Sequence, residues 1–227
     1  MPIRFEKIRG IVFDLDGTLI DSYEAITESL NHAMARAGIP PLPEERVKEM
    51  VGMGLETLVE RAMGASRVEE GVRSFRTRYD EICEARTRLL PEVAETLAAL
   101  RERGYLMAVA TNKPAHFASR LLAALGVDRS FGVVLGPDLV ENKKPHPEMV
   151  DRAMEALGLD RASTLYVGDM EVDIQAARAA GVIVVVLPTG SRSAEALASH
   201  GPDLLIRAFS DLLDLLPGAP PPGLPGL

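Results

Sequence analysis

From residue 92 to residue 216 the chain alternates short β-branched runs with amphipathic stretches, joined by short links. The apolar periodicity predicts strands over 106–110, 131–135, 164–167, 182–187 and 203–206. It predicts helices over 92–103, 116–125, 147–157, 171–180, 193–199 and 209–216, several of them stopped by glycine. Strand and helix in strict alternation leave one economical solution, a doubly wound parallel α/β sheet. An earlier strand, 8–14, carries the run Ile11-Val12-Phe13. No strand pattern interrupts 22–88, where helices are expected over 21–37, 44–50, 55–63 and 68–88. The first of these has Asp21 and Glu24 in capping-box positions. The chain therefore reads as an α/β core, 1–21 and 89–216, with a small all-helical insert, 22–88, after the first strand. The tail 217–227 holds five prolines and three glycines and reads as an extended end.

In a parallel sheet, ligands bind outside the carboxyl ends of the strands. Three predicted strands end there in polar residues: Asp14-Leu15-Asp16-Gly17-Thr18, Thr111-Asn112 and Gly168-Asp169. Asp14 and Asp16 suit a metal site, acid/base work, or a nucleophile paired with a proton carrier. Taken singly, each cluster is equally an ordinary turn or helix cap. Their common edge is what points to a site. A proline-braced basic loop, Glu141-Asn142-Lys143-Lys144-Pro145-His146-Pro147, adds a lysine that can be aimed. The scattered histidines support no metal cluster, and no P-loop pattern is present.

Composition removes other classes. The 227 residues carry a net charge of -8 and no Lys/Arg block, which argues against a nucleic-acid partner. No apolar run is long enough to span a membrane. A single cysteine, Cys83, cannot form an internal disulfide, and a cytoplasmic setting is expected. An acidic protein acting on an anionic substrate needs a metal, a few basic groups and backbone N–H donors to supply local positive potential.

The ordered set FDLDGTLIDS (13–22), TN (111–112), KKPHP (143–147), GDMEVD (168–173) and AARAAG (176–181) resembles the haloacid dehalogenase superfamily of phosphohydrolases over 8–216. The resemblance implies a Rossmann-like core with a mobile helical cap, and Mg2+ as cofactor. It implies Asp14 as nucleophile and metal ligand, and Asp16 as general acid/base and metal ligand through its carbonyl. Thr111 and the Asn112 backbone would hold phosphoryl oxygens, and Lys144, rather than Lys143, would bridge nucleophile and phosphate. Asp169 would complete the metal site. Asp173 would either touch the metal's water or orient the site.

In the insert, Val51-Gly52-Met53-Gly54 is either a plain glycine turn or a specificity loop, with Gly52 and Gly54 near an anionic substrate end. Together with 91–114 this loop is similar to the phosphoglycolate phosphatase subgroup. The expectation is a Mg2+-dependent phosphomonoesterase, monomer or homodimer, acting on a small anionic ester, foremost 2-phosphoglycolate. Other esters or pyrophosphate, a phosphomutase of the same fold, and a silent interaction module remain as alternatives.

Overall fold

The computed structural model describes residues 4–218. Most of the proline-rich tail, 219–227, lies outside the described residues. The sheet has six strands: β1 (Gly10–Phe13), β4 (Leu106–Ala110), β5 (Val133–Leu135), β6 (Thr164–Gly168), β7 (Ile183–Val186) and β8 (Leu204–Leu205). Their spatial order is β5-β4-β1-β6-β7-β8, and every pairing is parallel. The central strand β1 pairs Phe13 with Val109 on one side and Val167 on the other.

Both faces of the sheet are covered, so its strands are apolar on both sides. Ile11 and Phe13 face one layer, formed by α5 (Val93–Glu102), α6 (Ala115–Ala124) and α10 (Leu212–Leu215). Val12 and Tyr166 face the other layer, formed by α7 (Glu148–Leu157), α8 (Glu171–Ala180) and α9 (Ala194–Ser199). In α7, Met149, Val150, Ala153 and Met154 make the inward stripe. Burial of each large apolar side chain of this kind contributes about 1.5–3 kcal/mol.

Between β1 and β4 the chain builds α1 (Tyr23–Arg36), α2 (Glu44–Met50), α3 (Leu55–Met63) and α4 (Val68–Ile82). Their inward faces include Leu30, Leu58, Val59 and Phe75. The structure corrects two expectations here. The last helix ends at Ile82, and Arg88–Leu89 forms a strand, β3, antiparallel to β2 (Ile20–Asp21). Asp21 is therefore not the N-cap residue, although its Oδ1 accepts from Tyr23 N, the first donor of α1, at 3.3 Å. Ser22 precedes α1 with no side-chain capping bond, and Asp21 Oδ2 meets Arg88 at 2.6 Å. The two passages between sheet and helices thus run side by side as a short ribbon. Two-residue strands have no period to read, and their pairing spans a long stretch of chain. No described helix is long and apolar enough to cross a membrane.

Candidate active site

β4, β1 and β6 are neighbours; the chain builds outward from β1 through β4 to β5, then crosses back past β1 to build β6, β7 and β8 on the other side. That is the switch point where a parallel sheet opens a crevice. The strand ends place Asp14 and Asp16, Thr111 and Asn112, and Asp169 around it. Asp14 N donates to Val167 O at 2.9 Å and Thr111 N to Leu135 O at 3.0 Å, so both start points are fixed by the sheet ladder.

Lys144 crosses beneath this edge. Its side chain is 1% exposed, with Nζ 2.7 Å from both Asp14 Oδ1 and Asp173 Oδ1. The contact with Asp14 is an ion pair off the hydrogen-bond angle. Nζ also donates to Tyr166 Oη at 3.1 Å. Asp173 Oδ2 accepts from Met170 N at 2.9 Å and Asp169 N at 3.2 Å. Asp173 therefore ties the start of α8 to the lysine. This close approach needs glycine at 168, because a Cβ there would lie 2.5 Å from Asp173 Cγ. Lys143 points elsewhere and donates to Met53 O at 2.7 Å.

Asp169 is fully buried, yet only one of its oxygens is used. Oδ1 accepts from Thr18 Oγ1 at 2.7 Å, while Oδ2 has no hydrogen-bond partner. A Cβ on Gly190 would sit 1.8 Å from that free oxygen, so glycine there leaves the gap open. Carboxylate oxygens of Asp14, Asp169 and Asp173 all lie within 4.8 Å of one another, against the single ammonium of Lys144. Burial pushes the Asp14 carboxyl up, Lys144 pulls it down and Asp173 pushes it up again, leaving it at about 6. Burial, then Asp173 and Asp14, hold Asp169 well above the usual carboxylate range. Crowded, desolvated anions with an unpartnered oxygen match the hard, oxygen-ligated divalent cations. The residues fit such an ion, with Asp14 and Asp169 offering the oxygens least engaged elsewhere.

Asp16 is held from two sides. Ser22 Oγ donates to its Oδ1, and Lys113 Nζ donates to Oδ1 at 2.8 Å and Oδ2 at 3.0 Å. Burial works against the Lys113 charge, but Asp16 and Tyr79 outweigh it and hold its pKa above the usual lysine value. In the sequence nothing marks Lys113 beyond its place directly after Asn112, and Thr18 and Ser22 carry no signal apart from the motif that contains them.

Thr111 is buried, and its Oγ1 accepts from Lys113 N at 3.2 Å. The Asn112 side chain is fully engaged in ties: Nδ2 donates to Gly52 O at 2.8 Å and Lys144 O at 3.1 Å, and Oδ1 accepts from Lys144 N at 3.0 Å. It thereby staples the lysine loop and the Val51–Gly54 turn to the end of β4. The turn presents its Gly52 and Met53 carbonyls to Asn112 and Lys143. Above Asp14 and Asp16 lies a cavity of about 80 Å³. Gly52, Gly54, Leu58, Phe75, Tyr79 and Phe117 are among the residues that line it.

A family model described as haloacid dehalogenase-like hydrolase matches residues 11–187. The phosphoglycolate phosphatase of Escherichia coli (strain K12) is 38% identical, over 94% of this chain and 94% of that protein. Among solved structures, a predicted phosphoglycolate phosphatase from Haemophilus somnus 129pt superposes with a TM-score of 0.86 at 34% identity. It covers 92% of this chain and 98% of its own. CbbY from Rhodobacter sphaeroides, solved in complex with phosphate, gives a TM-score of 0.80 at 25% identity, covering 92% of this chain and 99% of its own. The chain belongs to the haloacid dehalogenase-like hydrolases, and its relatives make it a phosphatase.

Proposed function

We propose that this phosphatase hydrolyses 2-phosphoglycolate through a phosphoryl group carried transiently on Asp14. The observation that supports the reading best is a buried carboxylate, Asp14, paired with a buried lysine at 2.7 Å and opening onto a small cavity beside a second acid. The relatives' names support the substrate.

An Asp14 carboxylate oxygen attacks phosphorus, and the bond from phosphorus to the ester oxygen breaks. Asp16, in its protonated form, gives its proton to the departing alkoxide. Asp16 then takes a proton from water as that water attacks the phosphorus, which breaks the bond to Asp14 and frees inorganic phosphate. Lys144 balances charge on the phosphoryl oxygens, helped by the Thr111 hydroxyl and the Asn112 backbone N–H. Asp173 orients Lys144 and caps α8. Mg2+ held by Asp14, the Asp16 carbonyl and Asp169 would supply Lewis-acid charge neutralisation, which lets two anions approach.

The helices α1–α4 act as the lid of this site, excluding water and lining the substrate end. Their ribbon of β2 and β3 is the natural hinge. A cytoplasmic place of action belongs to the same reading, supported by a lone, buried Cys83.

The test is phosphate release from 2-phosphoglycolate, hexose phosphates, nucleoside monophosphates and pyrophosphate, with Mg2+ and then with EDTA. Metal-dependent release led by 2-phosphoglycolate is expected. Another leading ester would overturn the substrate, and no release at all would overturn the activity.

A further inference from the structure

The cavity over Asp14 has an uneven wall. Most of it is apolar: Ile26, Leu58, Phe75 and Phe117 face it. Among the described residues, Lys113 is the one cation that lines it. Its ammonium has three N–H donors, and Asp16 takes two of them. The ring of Tyr79, from α4, covers that ammonium at 5.0 Å. The Tyr79 hydroxyl is buried next to that ammonium, whose charge acts on it, but no hydrogen bond of ordinary geometry satisfies it. A buried hydroxyl left unpaired is unfavourable, so its presence in a ligand cavity points to a ligand acceptor.

Ester chemistry places that acceptor. In a phosphorylated 2-hydroxy acid, one carbon separates the leaving oxygen from the carboxylate carbon. The group that binds this carboxylate must therefore stand beside the acid that protonates the leaving oxygen. Lys113 is the cation that touches Asp16. Without it, the carboxylate would enter an apolar pocket beside the Asp14 carboxylate, at a large desolvation and repulsion penalty.

We propose that Lys113 and the Tyr79 hydroxyl form the subsite for the carboxylate of a phosphorylated 2-hydroxy acid, one from the sheet edge and one from the lid. This rests on the phosphatase reading and adds the residues that select the substrate class. Because Tyr79 lies on α4 and Lys113 follows β4, a bound carboxylate bridges the two parts of the molecule and favours the closed arrangement.

The experiment compares kcat/KM for 2-phosphoglycolate with that for its neutral amide, a substrate of the same shape. The wild type is expected to favour the carboxylate. In Lys113→Met both esters lose kcat, because Asp16 loses its holder, but the ratio between them falls a further ~100-fold, as for one partner removed from a desolvated charge pair. Lys113→Arg restores part of the ratio. Tyr79→Phe, which keeps the ring, lowers the ratio about 10-fold, the scale of one lost hydrogen bond to a charged group. It carries the test if Lys113→Met fails to fold.

A ratio unchanged in Lys113→Met, or in Tyr79→Phe where the first does not fold, overturns the subsite. A wild type that cleaves both esters equally overturns it while leaving the phosphatase reading standing. A wild type that cleaves neither removes the subsite together with 2-phosphoglycolate as substrate, and release from another ester of the panel then keeps the phosphatase.

Discussion

The floor and the roof of the site are built on opposite principles. The floor holds Asp14, Asp169, Asp173 and Lys144, all buried and all ionisable, gathered at the sheet edge and the start of α8. The roof is mostly hydrocarbon from α1, α3 and α4, with Gly52 and Gly54 where it meets the sheet. Charge packed this tightly destabilises a fold unless a ligand compensates it, so on the proposed reading the floor does the chemistry at the expense of stability. The roof contributes to the core and leaves one small space, which on the same reading selects the substrate. The difference teaches that floor substitutions should change rate and metal response. Roof substitutions should change substrate preference.

The largest effect that can break this contrast is at Asp14. Asp14→Asn should lower kcat by about 10⁴-fold or more, as loss of a nucleophile does. The same change should stabilise the metal-free protein. The folded carboxyl sits at about 6 against an ordinary 3.8, so the folded state holds the proton more tightly. Its contribution to stability is fully present below 3.8 and lost as pH rises through about 6. The advantage of Asp14→Asn in EDTA should therefore be full at pH 7–8 and fade toward pH 4, read by thermal unfolding.

Next comes Asp169. Magnesium at 100 times its Kd should stabilise the wild type by about 2.7 kcal/mol, which for a chain of this size is a Tm rise of roughly 5–11 °C. Asp169→Asn should abolish most of that rise. If the variant keeps the full rise, the unpartnered oxygen is not a ligand.

A smaller effect belongs to the roof. A Cβ on Gly54 would stand 3.0 Å from Lys143 Nζ, at a φ of +92° that disfavours any side chain. Gly54→Val should raise KM for the best ester by about 10-fold through the displaced turn, with a smaller change in kcat. A fall in kcat alone would place the turn in the chemistry. The smallest effect is at Tyr23, whose buried hydroxyl is unpartnered near the free Asp169 oxygen. Tyr23→Phe should raise metal-free stability by about 1 kcal/mol, measured by urea unfolding.

The floor was largely legible in the sequence because parallel alternation forces strand ends onto one edge. Asp14, Thr111 and Asp169 could be gathered there without coordinates. The division of labour between Asp169 and Asp173 could not, since it depends on which oxygens are already engaged. Lys113 escaped notice because Asp16, its partner, is distant in sequence. Tyr79 escaped because at helical spacing it reads as core. The β2–β3 ribbon left no periodic trace, and the length of α4 was overread in consequence.

The measurement that bears most directly on the account is acid-quenched mass spectrometry of the enzyme during turnover of 2-phosphoglycolate. The account predicts a phosphoryl group on the peptide containing Asp14, lost in EDTA and absent from Asp14→Asn. Rapid phosphate release by an Asp14→Asn enzyme with no phosphoryl group on the protein would contradict it.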